Sequence, residues 1–122
     1  MTPMQKTATD DEIASVLEAI ERHFEPHLAA AIPFGAYQIN LTDQHVVWHM
    51  LIEAGRCRAV PGAHPNPVII SHMTQETLLA LSTGVLSEMQ AWMTGRLKVE
   101  GDLRVAFGYT KAFRKLAVGW NG

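Results

Sequence analysis

The sequence holds a single cysteine, Cys57, so no internal disulfide can staple the fold, and a reducing compartment is the expected setting. An excess of positive charge is missing too: the formal net charge is −2. That excludes a broad electrostatic grip on a nucleic-acid backbone, and no nucleic-acid partner is expected. No apolar run approaches the roughly 20 residues that cross a bilayer. Residues 1–11 are polar and carry no charged-then-apolar secretory signal. The closing Gly119-Trp120-Asn121-Gly122 matches no peroxisomal or retention tripeptide. A soluble, cytoplasmic chain is the expectation, one domain over residues 1–122 with a flexible segment at 1–9.

Motifs that carry chemistry are also scarce. There is no Gly-x-Ser-x-Gly elbow, no phosphate-binding glycine loop and no dinucleotide fingerprint. Thr83-Gly84 and Thr94-Gly95 read as helix ends, and Cys57 sits in a predicted strand without a local activator. Six histidines invite a metal or acid–base reading. His23 and His27 are four apart, but Pro26 interrupts the turn that would align them, and Glu25 is out of order for a zincin. His45 and His49 fall on one strand face with Glu53, opposite Trp48, Met50 and Ile52, and that face is expected to meet solvent. His64 lies in a proline loop and His72 near a strand end. No third ligand stands at a typical spacing, so no metal and no cofactor are expected. Nor does a catalytic constellation assemble, so the chain reads as a non-enzyme.

What the sequence does contain is clear periodicity. Apolar residues make up 48% of the chain and charged residues 18%, enough to bury a core at 122 residues without metal or disulfide. Thr9 and Glu12 form a capping box for a first helix, whose stripe is Ile13, Val16, Leu17, Ile20 and Phe24, and Pro26 ends it. From Ala36 the period becomes two, with Tyr37, Ile39 and Leu41 on one face. A turn at Thr42-Asp43-Gln44 leads to a second strand carrying Val46, Trp48, Met50 and Ile52. A third strand spans 56–60, a loop with three prolines spans 61–67, and a fourth strand spans 68–73. Thr74 opens a helix that Gly84 stops. Ser87 and Gln90 box another that Gly95 ends. Leu97 and Val99 mark a fifth strand, and Asp102 caps a last helix reaching about Lys115. Segregated strands and helices predict an α+β, two-layer domain: a five-stranded, mainly antiparallel sheet with helices on one face.

The helical half carries an apolar surplus. Val85, Leu86, Met89, Trp92 and Met93 cover the short helix, and Leu103, Ala106, Phe107, Thr110, Phe113 and Ala117 stripe the last one. Adaptable methionines suit a site for ligands of varied shape, but by residue type alone such residues more often simply fill a core. A filled core and a hollow one have the same composition. Arg104, Lys111 and Lys115, with Arg114 nearby, make the last helix basic on one face. Such a helix suits an anionic lipid surface, and more often it is simply a solvated face. Gly108 within it marks a soft spot.

The stretch Met89-Gln90-Ala91-Trp92-Met93-Thr94-Gly95-Arg96-Leu97-Lys98-Val99-Glu100-Gly101-Asp102 closely resembles the signature of the sterol carrier protein type 2 family. Upstream, Trp48, Gly55, Val68 with Ile70, and residues 74–81 agree in order, so the resemblance spans about 36–116. It implies a five-stranded sheet with helices on one side and an apolar tunnel between them. The tunnel would take a fatty acyl chain, acyl-CoA, a sterol-like or a polyprenyl lipid. Leu81, Met89, Trp92, Met93, Leu103, Phe107 and Phe113 become candidate tunnel residues, with Trp48, Met50, Ile52 and Val99 as the floor. The family brings no catalytic residues to carry over. Gly108-Tyr109-Thr110 departs from the family pattern: Tyr109 or Thr110 places a polar group inside or beside the tunnel, or the helix packs differently. The mechanism implied is partition, about 0.8 kcal/mol per CH₂ transferred, with the last helix as lid. The alternatives are a module that dimerises or docks partner enzymes of a lipid or quinone biosynthetic assembly, and, more remotely, an enzyme of lipid metabolism.

Overall fold

In the computed structural model residues 10–120 are described; Thr9 and the segment 1–9 lie outside them. The first helix, α1, runs Asp10–Arg22 and buries Ile13, Val16, Leu17 and Ile20, the stripe its 3.6-residue period dictates. A short 3₁₀ turn at Pro26–Ala29 follows, because the proline ring forbids continuation of the helix. Four strands come next: β1 Gly35–Leu41, β2 Val46–Glu53, β3 Arg56–Pro61 and β4 Ile69–Met73. Then come α2 Gln75–Thr83, α3 Glu88–Met93, β5 Lys98–Glu100 and α4 Leu103–Thr110. Local chemistry sets the helix ends. The Thr74 hydroxyl accepts from the Thr77 amide, Ser87 and Gln90 close the expected capping box, and the Asp102 carboxylate accepts from the Arg104 amide. Gly84 ends α2 at φ 81°, a left-handed conformation that favours glycine.

The strand order is β3-β2-β1-β4-β5. Three pairings are antiparallel and β1·β4 is parallel, so the sheet is mixed. The parallel pair requires the chain to return from β3 past β2 and β1 before β4 begins. Register places Tyr37, Ile39, Leu41, Trp48, Met50, Ile52, Ile69, Ser71 and Met73 on one face. Tyr37, Ile39, Leu41, Met50, Ile52 and Ile69 are buried in the core there, which makes this the helix-covered face. On the β3 edge, the Ala59 amide donates to the Glu21 carboxylate of α1 at 2.5 Å, which covers one otherwise open edge donor.

Three expectations need correction. His45 precedes β2, in the turn, at φ 54°, so it does not share a strand face with His49. His49 itself is only 7% exposed, because the 61–67 loop crosses that outer face on its way to β4. The loop is held there by Gly62 N–H to Val47 O, His64 N–H to the Gln38 side chain, and Val68 N–H to Ala36 O. His49 Nδ1 lies 2.8 Å from the Gly62 carbonyl. Third, the last helix ends at Thr110, not near Lys115. Residues 111–117 form an irregular strap pinned by Glu25 N–H to Ala112 O, Arg114 N–H to His23 O and Leu116 N–H to Ser82 O, each 2.8 Å. Lys111, Arg114 and Lys115 therefore do not extend a basic helix face. Gly108 is a point of close approach: a Cβ there would sit 2.9 Å from Ile32 Cγ2.

Candidate ligand-binding site

Between sheet and helices lies a cavity of about 70 Å³. Ile39 of β1 and Ser71 and Met73 of β4 form its sheet side, with Leu97 just ahead of β5. Leu78, Leu81 and Ser82 of α2 and Ala106, Tyr109 and Thr110 of α4 form the opposite walls, and Ile20 of α1 closes one end. The strap residues Phe113, Arg114, Lys115 and Leu116 lie across it, with Glu88 of α3.

An aromatic chain braces this arrangement. Tyr37 and Tyr109 stack at 4.6 Å, Tyr109 meets Phe113 edge-on at 5.2 Å, and Phe113 meets Phe24 at 5.4 Å. It links β1 through α4 and the strap to the end of α1. At the opening, Lys115 Nζ donates to Leu81 O and to the Glu88 carboxylate, both at 3.1 Å, and Arg114 pairs with Glu25 at 2.6 Å. Charge is thus confined to the rim while the walls are largely apolar, the distribution expected of a site for an amphipathic chain. Burial pushes the Tyr109 phenol well above its usual range, with smaller contributions from Cys57 and Tyr37, so it is a neutral group inside the core. Cys57 is pushed up to about 12 by burial and by Glu21, which keeps it a thiol at neutral pH. Among the described residues no three histidine, cysteine or acidic side chains converge as a metal site would require.

The residues singled out from the sequence fall into three groups. Leu81 and Phe113 line the cavity. Met50 and Ile52 are fully buried in the core on the same sheet face, and Trp48 and Val99 pack partly buried against it. Leu103 and Phe107 are partly buried on α4 and do not line the cavity. Met89, Trp92 and Met93 are 48%, 44% and 71% exposed, since α3 is a six-residue helix that buries only Ala91. Several wall residues escaped the sequence reading, chiefly Ile39, Ser71, Met73 and Leu78. Their signal was present: Ile39 alternates in phase with Tyr37 and Leu41, and Ser71 interrupts the apolar alternation of Ile69 and Met73.

The sequence profile of the SCP-2 sterol transfer family matches residues 17–114. The chain belongs to that family. A search of the curated proteins finds no match. Among solved structures, this SCP-2 domain resembles the sec-alkylsulfatase Pisa1 from Pseudomonas sp., with a TM-score of 0.75 and 14% identity. That match covers 90% of the present chain and 17% of the alkylsulfatase, so the chain spans about a sixth of that protein's length. It also resembles a UbiJ-SCP2 ubiquinone synthesis protein, at TM-score 0.66 and 10% identity, over 80% of this chain and 88% of that one. A palmitated SCP2L2 from Aedes aegypti matches at TM-score 0.59 and 19% identity, over 81% and 91% of the two chains. At such identities these structures show a shared fold. Among the described residues no helix is long and apolar enough to cross a membrane.

Proposed function

We propose that this SCP-2 domain binds the apolar chain of a lipid between its sheet and helices and performs no chemistry on it. The observation that carries the reading is the cavity itself: apolar walls from β1, β4, α2 and α4, with Glu88, Arg114 and Lys115 at the rim. The palmitated relative supports an acyl chain as occupant, and acyl-CoA, sterol-like and polyprenyl molecules share the required chemistry. Each CH₂ moved from water into such a site is worth about 0.8 kcal/mol. The cavity of about 70 Å³ is roughly half of the about 150 Å³ that accepts benzene in an engineered core. A long chain therefore enters only when a wall moves. The 111–117 strap is the wall suited to this, being irregular and held by three backbone hydrogen bonds and two rim ion pairs. An anionic membrane surface, the partner expected for a lipid carrier, would compete with Glu25 and Glu88 for Arg114 and Lys115 and so loosen the strap.

Native mass spectrometry of freshly purified protein, followed by extraction and lipid identification, tests the reading. A stoichiometric apolar adduct is the expected result. A clean apo mass that stays clean through titration with acyl chains, sterols and polyprenyl compounds would overturn it. A second reading, a docking module or homodimer within a biosynthetic assembly, draws on the exposed α3 face of Met89, Trp92 and Met93 and on the ubiquinone-synthesis neighbour. Co-purification of a partner enzyme that Trp92→Ala releases, with no lipid bound, is the outcome that would favour it.

A further inference from the structure

Among the described residues, large apolar side chains stand exposed in one run, Val85, Met89, Trp92 and Met93, and elsewhere singly along the chain, at Leu28, Phe34 and Val118. Met89, Trp92 and Met93 are spaced i, i+3 and i+4 on α3 and so share one face, opposite the buried Ala91. Singly exposed apolar residues are ordinary, whereas a contiguous patch marks contact with a partner or a membrane.

The surroundings of this patch say what covers it. At the start of α3, Glu88 lines the cavity mouth and pairs with Lys115, so the apolar face begins one residue from the opening. Just past its end, Arg96 and Lys98 are exposed and form no ion pair among the described residues. Glu76 is the carboxylate in the groove they line. Cations therefore flank the apolar face at both ends, the arrangement that matches acyl chains beneath anionic headgroups. A protein partner fits less well. Four apolar side chains are few against the roughly 20–30 residues that each side of a stable interface engages.

We propose that α3 seats this domain on an anionic bilayer, with Val85, Met89, Trp92 and Met93 entering the interfacial region and Arg96 and Lys98 meeting lipid phosphates. The proposal rests on the lipid-binding reading and adds the route: docking carries the cavity mouth at Glu88 and Lys115 to the surface from which a lipid is drawn.

The test is flotation of the full chain with phosphatidylcholine vesicles, with and without about one third phosphatidylserine, and with brominated acyl chains as tryptophan quenchers. The parent should float with the anionic vesicles and much less with the neutral ones, and Trp92 should be quenched. Trp92→Phe, which keeps Trp48 and Trp120, identifies that signal. Met89→Gln combined with Met93→Gln should weaken partition to anionic vesicles by about tenfold, and Arg96→Ala or Lys98→Ala by about fivefold each. These positions are exposed, so melting temperatures should match the parent's. Absence of flotation, or flotation that the α3 variants leave unchanged, would overturn the proposal. So would a parent that sediments as a dimer which the methionine variants dissociate, since a second copy would then cover the face. Native mass spectrometry separates the two readings. A lipid adduct retained while docking fails leaves the lipid-binding reading standing, and a clean apo mass with docking intact removes that reading and keeps the docking face.

Discussion

The two faces of one sheet are covered by opposite means, polar saturation outside and apolar packing inside. On the outer face, donors and acceptors form a line. His64 N–H donates to Gln38 Oε1, Gln38 Nε2 to Asn40 Oδ1, and Asn40 Nδ2 meets His72 Nδ1. His72 Nε2 then reaches the Glu100 carboxylate at 2.5 Å. Each group in that line has a partner, which is how Gln38 tolerates 7% exposure beneath the 61–67 loop. The inner face is apolar by contrast, built from Tyr37, Ile39, Leu41, Met50, Ile52 and Ile69, and the one tyrosine hydroxyl on it, that of Tyr37, donates to Pro33 O. Neighbouring residues such as Gln38 and Ile39 thus answer to different physics: hydrogen-bond saturation on one side, packing on the other.

Four experiments can break or sharpen this contrast. The largest effect should come from the packed side: Met50→Ala, at a fully buried position, is expected to lower unfolding free energy by about 2–5 kcal/mol in urea titration. Alkaline pH should come next, and again it acts through the inner face. Burial raises Cys57 from 9.0 to about 12, Glu21 adding to the effect, and raises Tyr37 from 10.0 to about 12. The folded state thus holds these protons more tightly than the unfolded chain. Stability is complete below the unfolded values and falls as pH rises through about 9–12, by up to about 1.4 kcal/mol per pH unit for each group. Cys57→Ala should flatten the early part of that decline, read from urea midpoints at about pH 8 and about pH 10.5. On the outer face, Gln38→Ala leaves the His64 amide and the Asn40 Oδ1 without their Gln38 partner and should cost about 1–3 kcal/mol. Amide exchange in the 61–67 loop should quicken with it. The smallest effect belongs to the rim. Lys115→Ala removes an exposed ion pair to Glu88 and a contact to Leu81 O, so stability should change by no more than about 1 kcal/mol. Lipid association in stopped flow should nonetheless be faster, because the strap is less firmly closed.

Much of the architecture was legible along the chain because its causes are local. The α1 stripe, the alternation of β1 and β2, the capping box at Ser87 and the glycine stop at Gly84 each involve residues within a few positions of one another. The last helix was overextended because Lys111–Lys115 keep helical spacing in the sequence. The strap instead takes its hydrogen bonds from His23, Glu25 and Ser82, partners that no local pattern reveals. The outer-face expectation for His49 failed for the same kind of reason: alternation placed the side chain correctly opposite Trp48 and Met50, but a loop from further along the chain covers it. Gly108 looked like weakness and proved to be clearance for Ile32.

The site divides in the same way. Sequence motif and periodicity determined the family, the element order, and which strand residues share a face, because backbone geometry converts spacing into direction at once. Tertiary structure alone decided which apolar residues line the cavity, which fill the core and which stay exposed. Leu81 and Met89 are alike in type, and both follow capped helix starts, yet one is a wall and the other faces outward. That outcome depends on where β4, α2, α4 and the strap meet, and packing among distant segments is a many-body condition that no single stretch of chain encodes.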